Sequence, residues 1–412
     1  MSSLSELQEP TQYPLSDAET CQACGNSPTN HIVTYIASTF DIWQGMLAYR
    51  LSRYRFFTRF ERALRRLSLS LDRLNYSLWH TLGIIRFGTD SSRAKTYRSQ
   101  VVWEEAIQRG IPMQQLRFLG TETDIYRAHL GRWVYFESLP IPHELPQTAF
   151  QWIDDKFLLY RLLRAAGIPI PETESVTDEN AARHALRSCG GPVVVKPRAG
   201  SRGRHTTTHV ATEEDVGKAF RCARELCRYV LVSRHLKGSV CRGTLVAGKL
   251  VGFFQADPAR VRGDGVSTIR ELVEEKNASK HVRVHDVVLN AGHADFLSRF
   301  GHDFDSVLEK GKTIDLSHWT GRILGGETWE LLDTVHPALR RSLEKAAAVL
   351  GVPVVGFDLI IEDPEKDPAT QEWGIIEANS LPFIDLHYLP LHGTPSNVAA
   401  HVWDLWGEGG TR

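Results

Sequence analysis

The chain has 412 residues, which is enough for two or three lobes around a sizeable core. Its hydrophobic content of 42% and its formal net charge of -1 are typical of a globular protein, and the balanced charge gives no reason to expect a nucleic-acid partner. No apolar run approaches the roughly 18 residues of a membrane span, and the polar N-terminus lacks the apolar centre of a signal peptide.

Residues 1–38 are rich in Ser, Thr, Pro, Gln and Asn, which predicts a poorly ordered tail. The six cysteines are scattered, a pattern that predicts free thiols in a reducing cytoplasm. Cys21 and Cys24 form a CxxC motif within this tail. Half of a metal site or a redox pair is one interpretation, but no second pair completes a zinc site, so incidental thiols are favoured.

Residues 39–95 predict a helical arm that is both basic and aromatic. Arginines recur from Arg50 to Arg73 between aromatic and leucine residues, with Glu61 and Asp72 as the only acids among them. Such a helix could lie on an anionic membrane or on an acidic partner. The favoured alternative is an arm that packs on its own protein or on a twin subunit, with its arginines reaching water.

Residues 96–150 predict a small N-terminal α/β lobe. A helix is expected from Thr96 to Arg109, and strands from Gln115 to Leu119 and from Trp133 to Glu137. A proline-rich linker, Leu139 to Pro146, ends the lobe. No group of residues in this lobe points to a chemical role.

The next segment predicts a phosphate-binding loop. A helix begins near Asp154, and a later valine strand ends in Lys196, just before the basic glycine loop Arg198 to Arg204. Glycines let backbone N–H groups approach a polyphosphate, and the cations neutralise its charge. An ordinary hairpin is the alternative, but Lys156 upstream favours phosphate binding. The candidate residues are Lys156, Lys196, Gly200, Ser201, Arg202 and Gly203.

A strand hairpin from Cys241 to Phe254 is followed by a tight loop, Asp257 to Gly265, which is expected to open a helix at Ser267 or Thr268. Because helix N-termini attract anions, Arg260 and Arg262 are candidates for a substrate carboxylate or phosphate. Two solvated turn arginines are the alternative interpretation.

Two apolar runs, Val354–Ile361 and Trp373–Asn379, predict adjacent antiparallel strands. Asp358 and Glu377 lie within these runs, where an acid is costly unless a cation or hydrogen bonds compensate it. Two carboxylates and the Asn379 amide oxygen suit a hard cation that also holds nucleotide phosphates. Half-buried acids solvated at a strand end are the alternative.

Residues 382–395 then predict a loop and residues 396–406 a closing helix.

The order of these features resembles the ATP-grasp superfamily over about Trp152 to Trp406. The residues that carry the resemblance are Lys156, Lys196 with its glycine loop, Arg242, Asp358, Glu377 and Asn379. Within that superfamily, this chain resembles the module of cyanophycin synthetase and, next to it, that of fused glutathione synthetases. The runs that carry this resemblance are 257–269, 334–337, 356–358, 376–379 and 393–399.

The resemblance implies an α/β (α+β) chain with the ATP-grasp fold. The small lobe 96–150 would precede the ATP-grasp module 151–406, which would contain a lid lobe at about 185–235 and a C-terminal lobe with an antiparallel sheet. Residues 407–412 would form a tail.

The resemblance also implies an ATP-dependent carboxylate–amine ligase that works through an acyl-phosphate. It would use ATP and two Mg²⁺ ions to join an amino acid or small peptide carboxylate to an amine. We expect a stand-alone ligase rather than a polymerase, because no second synthetase domain follows the module in this sequence.

The implied roles divide into four groups. Lys156, Lys196 and the loop 200–204 would hold the ATP phosphates, and Asp358, Glu377 and Asn379 would hold magnesium. Arg242 would stabilise the acyl-phosphate and the tetrahedral intermediate, with Arg322 in the glycine loop 320–327 as a second catalytic candidate. His387 is a candidate substrate residue.

Three departures from the family pattern keep other interpretations open. Ser233 stands where relatives place the ribose-binding glutamate, Ile323-Leu324 replace Ser-Thr before two glycines, and Asn379 is followed by Ser-Leu-Pro-Phe. One alternative is a degenerate module that binds a nucleotide or a partner without ligation. Another is a ligase that acts on a peptide or protein docked on the arm. A homodimer is also left open.

Overall fold

The computed structural model describes residues 21–24, 29–145, 148–200 and 203–407. Within these ranges the helices are α1 (His31–Ser52), α2 (Arg55–Thr81), α3 (Tyr97–Gln108), α4 (Lys156–Ala165), α5 (Glu179–Cys189), α6 (Glu213–Arg224), α7 (Ile269–Ser279), α8 (Ala291–Ser298), α9 (Pro337–Leu350) and α10 (Val398–Asp404). Among the described helices, none combines the length and apolar character needed to cross a bilayer.

The described strands form three larger sheets and one small one. They are β1 (Ile85–Gly88), β2 (Met113–Phe118), β3 (Thr121–Leu130), β4 (Arg132–Glu137), β5 (Thr173–Val176), β6 (Val193–Pro197), β7 (Thr207–Val210), β8 (Val230–Arg234), β9 (Ser239–Val246), β10 (Lys249–Ala256), β11 (Pro258–Arg262), β12 (Thr313–Thr320), β13 (Thr328–Glu330), β14 (Val354–Ile361) and β15 (Trp373–Asn379). The predicted mixed α/β architecture is confirmed.

The N-terminal lobe is an antiparallel sheet in the order β1-β2-β3-β4, with α3 against it. The predicted helix and both predicted strands are present, and Thr96 caps α3 by accepting a hydrogen bond from the Ser99 amide. Strand β3 was not predicted, although Tyr126, Ala128 and Leu130 alternate with Arg127 and His129 in its second half. Leu119 and Gly120, both with positive φ, make the tight turn that pairs it with β2.

The lid lobe is an antiparallel sheet in the order β5-β8-β6-β7, with α5 and α6 packed together on it. Its core consists of small and β-branched side chains, with Val193, Val195, Val230 and Val232 fully buried. Because β6 lies inside this sheet, its C-terminal end has a fixed position. That end carries Lys196 and leads into the glycine loop.

The central sheet has the order β13-β10-β9-β14-β15 and is buried on both faces. Phe253 and Phe357 pack on one face with Leu343 of α9, whereas Val354 packs on the other face with Trp403 of α10. Two-sided burial explains why β14 reads as a continuous apolar run. An acid in this strand must therefore have a partner.

The predicted tight loop at 257–265 is wrong in part, because Pro258–Arg262 is strand β11, paired antiparallel with β12. The partner strand lies far along the chain, so no local pattern indicated it. The predicted helix start is confirmed: Thr268 caps α7 in a capping box with Glu271.

The N-terminal region begins its helix earlier than expected, at His31, and forms two helices with a break at Arg53 and Tyr54. One side of α1 is buried through Ser38, Ile42, Gly45 and Ala48. The arm, here α1 and α2, also exposes apolar side chains at helical spacing. They include Ile32, Ile36, Phe40, Trp43 and Leu47 of α1, and Phe56, Phe60, Leu64, Leu67, Leu71, Leu74 and Leu78 of α2.

Candidate active site

The two acidic strands are neighbours, as predicted. Strands β14 and β15 pair antiparallel, with Asp358 directly opposite Glu377 and Gly356 opposite Asn379. A bulge follows the Asp358 pair, because Leu359 lies opposite Ile375 and the intervening residue of β15 has no partner. The Asn379 amide donates to Asp358 Oδ2 at 3.3 Å. The three predicted metal ligands are therefore adjacent on one face of the sheet.

Strand β14 also pairs with β9, on the edge away from β15, and there Arg242 lies directly opposite Asp358. Its Nε and Nη2 donate to the two carboxylate oxygens of Asp358 at 2.6 and 2.7 Å. This two-point contact fixes the plane of the guanidinium, which a lysine at the same position could not do. Arg242 is thus held rigidly beside the two acids.

Lys156 connects the acidic strands to the glycine loop. It is the first residue of α4, and its Nζ lies 3.0 Å from Glu377 Oε1. The same Nζ donates to the backbone carbonyl of Gly200 at 2.7 Å. Gly200 has φ 148°, a conformation that side-chain-bearing residues rarely adopt. One ammonium group therefore joins β15 to the loop predicted to bind phosphate.

A buried ion pair anchors the base of the same loop. Asp155 caps α4 by accepting from the amides of Phe157 and Leu158, and it also accepts from Arg198 Nε at 2.7 Å and Nη2 at 2.5 Å. The exposed fractions of the Arg198 and Asp155 side chains are only 8% and 5%. The Asp155 carboxylate therefore binds both the first turn of α4 and Arg198 at the start of the glycine loop.

Lys196 is positioned through Tyr160. Its Nζ donates to the Tyr160 hydroxyl at 3.1 Å, and that hydroxyl donates to the Ile376 carbonyl at 2.6 Å. The Ile376 carbonyl belongs to the bulged residue of β15. The Lys196 side chain is partly exposed, but the protein around it shields its ammonium group from water. Desolvation, with the Lys156 cation as a second cause, lowers the pKa of Lys196 to about 8.

The lowered pKa of Lys196 predicts proton uptake when a polyphosphate binds. A bound polyanion stabilises the ammonium and raises its pKa above 8, so binding near and above pH 8 draws a proton from solvent. Affinity should therefore fall as the pH rises beyond about 8, by at most about tenfold per pH unit. Titration calorimetry of a non-hydrolysable ATP analogue in two buffers with different ionisation heats measures the uptake.

Lys196→Arg is the informative control for this experiment, because arginine stays charged and the uptake should disappear. Lys237→Arg, at an exposed lysine between β8 and β9, should leave the uptake unchanged. Equal heats in both buffers for the unaltered protein would contradict the assignment.

The donor groups fit the cofactors implied by the resemblance. Asp358, Glu377 and Asn379 offer only oxygen ligands, which is the set that Mg²⁺ prefers. Each carboxylate oxygen has two lone pairs, so the contacts with Arg242 and Lys156 leave acceptor positions on both acids. Desolvation and the nearby Glu377 charge raise the pKa of Asp154 to about 6, against the effect of Lys156. A divalent cation would relieve this crowding of negative charge.

The remaining predicted site residues are less closely grouped. The buried Ser233 hydroxyl accepts from Thr173 at 2.9 Å. Arg260 is paired with Asp257 and Asp315, whereas Arg262 is exposed. Ser201 and Arg202 lie outside the described residues.

The structure does not bring His387 to the cleft. Its ring is fully buried, with Nδ1 2.7 Å from Glu330 and Nε2 2.7 Å from Thr244. Both ring nitrogens are therefore engaged inside the core, and no ring surface is left for a substrate. His387 has a structural position instead of the predicted substrate contact.

Arg322 begins a short helical turn, Arg322–Leu324. Desolvation raises the pKa of Tyr97, the charge of Asp385 adds to this effect, and that of Arg322 opposes it. The charge of Arg242 also acts on Asp385. Arg322 therefore lies within electrostatic range of Tyr97 in α3.

Several residues of the site were not predicted as such. Asp154 and Asp155 were interpreted as helix-start acids, and Tyr160 and Arg198 were not singled out. Tyr160 follows Lys156 by one helical turn, so helix periodicity could have placed both side chains on one face. Nothing local indicated that Arg198 pairs with Asp155.

No protein-family model matches the sequence. Over 259 residues the chain is 34% identical to the cyanophycin synthetase of a Synechocystis species, covering 61% of this chain and 30% of that protein. It is 30% identical over 319 residues to the cyanophycin synthetase of Trichormus variabilis, covering 74% and 34%. The chain thus spans about a third of the length of these curated relatives.

A solved structure has the same fold. The crystal structure of a bifunctional glutathione synthetase from Pasteurella multocida superposes with a TM-score of 0.50 and 23% sequence identity, covering 76% of this chain and 43% of that chain. The predicted ATP-grasp fold is therefore confirmed. The sequence relatives and the shared fold together identify this chain as a member of the ATP-grasp superfamily.

Proposed function

We propose that the chain is an ATP-dependent carboxylate–amine ligase that works in the cytoplasm. The observation that carries this proposal is the convergence of two lysines, a glycine loop and an arginine-paired carboxylate cluster in one cleft. The relatives are named as synthetases of cyanophycin and as bifunctional glutathione biosynthesis proteins, which form amide bonds.

Phosphate binding falls to the lysines and the glycine loop. Lys156 and Lys196 would neutralise the polyphosphate, and the backbone around Gly200 and Gly203 would approach it closely. Asp358, Glu377 and Asn379 would hold two Mg²⁺ ions, which supply charge neutralisation for phosphoryl transfer. Ser233 would contribute to the nucleotide pocket with a hydroxyl in place of a carboxylate.

The ligation step needs positioned cations rather than a covalent enzyme intermediate. The γ-phosphoryl group passes from ATP to the substrate carboxylate, and the amine then displaces phosphate from the acyl-phosphate. Arg242, held rigid by Asp358, would stabilise the negative charge that develops on the acyl oxygen. Arg322 would assist as a second cation, and Arg262 is the more accessible candidate for a substrate carboxylate.

The direct test combines ADP release with product mass. The protein is incubated with Mg-ATP and pools of amino acids and dipeptides, and active pools are examined by mass spectrometry. ADP release should require a particular acid–amine pair, and the product should be lighter by one water than the sum of the two. Glu377→Gln should abolish the activity, whereas Glu365→Gln, at an exposed turn residue, should not. ATP binding without ADP release in any pool would instead favour the binding module.

A second candidate function is ligation to a peptide or protein acceptor docked on the arm. The observation that favours it is the exposed apolar side of α1, where Phe40 and Trp43 have exposed fractions of 66% and 67%. Contiguous apolar surface of this kind commonly marks an interaction site. A twin subunit would cover the same surface, so a homodimer remains a competing proposal.

Point substitutions on the arm distinguish these occupants. The combined variant Phe40→Ser, Trp43→Ser and Leu47→Ser should lower kcat/KM for a peptide acceptor by about tenfold or more, while activity on a small amine is retained. Val266→Ser with Val282→Ser, at exposed apolar residues elsewhere, is the matched control. Conversion of a dimer to a monomer in light scattering would favour the twin subunit instead.

A further inference from the structure

Four side chains with metal-binding atoms converge between the N-terminal segment and the lid lobe. They are Cys21, Cys24, His31 and His205, and their ligand atoms all lie within 4.8 Å of one another. The expectation that the two cysteines lack partners is therefore wrong. The completing residues were hard to find in the sequence, because His31 lies 7 residues and His205 181 residues beyond Cys24.

The separations match those of a tetrahedral zinc site. The Sγ atom of Cys24 lies 3.3 Å from His31 Nε2 and 3.4 Å from His205 Nε2, and Cys21 Sγ lies 3.5 Å from the same His205 atom. In a tetrahedron with Zn–S about 2.3 Å and Zn–N about 2.0 Å, neighbouring ligand atoms are about 3.5 Å apart. The side chains are thus already spaced as ligands of one ion.

Both histidines direct Nε2 toward the cysteines because Nδ1 of each ring has another partner. His205 Nδ1 lies 2.7 Å from the Cys222 carbonyl, and His31 Nδ1 lies 3.2 Å from Glu225 Oε2. A carbonyl can only accept, so the proton of neutral His205 is on Nδ1 and its Nε2 lone pair faces the thiols. Partners of this kind, a carbonyl and a carboxylate, orient histidine ligands in zinc proteins.

The backbone supports the same arrangement. The CxxC segment forms a short helical turn, closed by the Cys24 amide donating to the Cys21 carbonyl at 3.0 Å. The His205 amide donates to the Ala23 carbonyl at 2.8 Å, which joins this turn to the lid. His205 itself has φ 51°, an uncommon conformation for a residue with a side chain. The CxxC turn and the segment around His205, which are far apart in sequence, are therefore held next to each other.

We propose that Cys21, Cys24, His31 and His205 bind one structural Zn²⁺ ion. Two thiolates and two imidazoles in tetrahedral spacing form a donor set that zinc prefers. The ion would tie the CxxC turn and the start of α1 to His205, which follows the glycine loop almost directly. Zinc would thereby brace the outer end of that loop. A redox pair requires only the two cysteines and gives no reason for both histidines to point inward.

The test uses the full chain, purified without a polyhistidine tag and under reducing conditions. Elemental analysis should find about one zinc per chain. The variants Cys24→Ser and His205→Asn should lower the zinc content roughly tenfold or more, whereas Cys189→Ser, at a buried thiol in the lid core, should not. Replacement of the ion by Co²⁺ should give the absorption of a tetrahedral, thiolate-bound cobalt, a readout that needs no variant to fold.

A substitution beside the ligands separates zinc binding from general damage to the fold. Glu225→Gln should keep the stoichiometry and weaken zinc affinity by about 10- to 100-fold in a chelator competition, because His31 loses its charged partner. Glu214→Gln, at an exposed acid of α6, should leave the affinity unchanged. The proposal is overturned if the reduced protein neither contains zinc nor takes up Zn²⁺ or Co²⁺, or if the ligand variants retain zinc like the Cys189 control.

Discussion

Asp358→Asn is expected to reduce kcat/KM for ligation by at least about 10²-fold, the effect of losing one charge-directing group at a phosphoryl-transfer site. Asparagine keeps the shape and one acceptor oxygen but removes the charge that would hold Mg²⁺. It also leaves the Arg242 guanidinium without its two-point partner. Steady-state ADP release over a range of Mg-ATP concentrations, with saturating acid and amine, measures the loss.

The Asp358 experiment needs a control for folding. Asp333→Asn, at an exposed position before α9, changes the same chemistry without touching the cleft and should retain full activity. Circular dichroism and the unfolding midpoint should show that the Asp358 variant is folded. Activity within a factor of about three of the unaltered protein would contradict the metal-binding role of Asp358.

Asp155→Ala is expected to lower the free energy of unfolding by about 3–5 kcal/mol. Removal of the acid leaves Arg198 buried with an uncompensated charge, which accounts for most of this cost. The same change removes the cap of α4, worth about 0.5–2 kcal/mol. Urea-induced unfolding followed by fluorescence measures the difference.

Asp178→Ala is the matched control, because Asp178 caps α5 at an exposed position and makes no ion pair with the residues that the structure describes. Its loss should cost only about 1 kcal/mol. Adding Arg198→Met to Asp155→Ala should recover part of the stability, since the buried charge is then gone. If the two aspartate variants lost equal stability, the buried ion pair would have no special role.

The sequence by itself indicated the central elements of the site. Strands β14 and β15 were predicted because apolar, β-branched runs bounded by turn residues determine strands locally. Lys196 and its loop were found for the same reason, since a valine strand followed by glycines and arginines is a short-range pattern. These features needed no information about distant residues.

Tertiary contacts decided the features that local patterns do not encode. Strand β11 became a strand because β12 supplies its ladder, and His387 was buried by Glu330 and Thr244 although it lies in a segment predicted to be a loop. A strand or a buried polar side chain depends on its partner, wherever that partner lies in the chain.

The cysteines illustrate the same division most clearly. The sequence showed the CxxC motif, but without a second pair of ligands it favoured incidental thiols in a poorly ordered tail. Only the fold could bring His205 to Cys21 and Cys24, since the path between them passes through the arm, the N-terminal lobe and half of the lid. Motifs formed by neighbouring residues were therefore visible in the sequence. The distances between residues far apart in the chain were not, because they depend on how the lobes pack together.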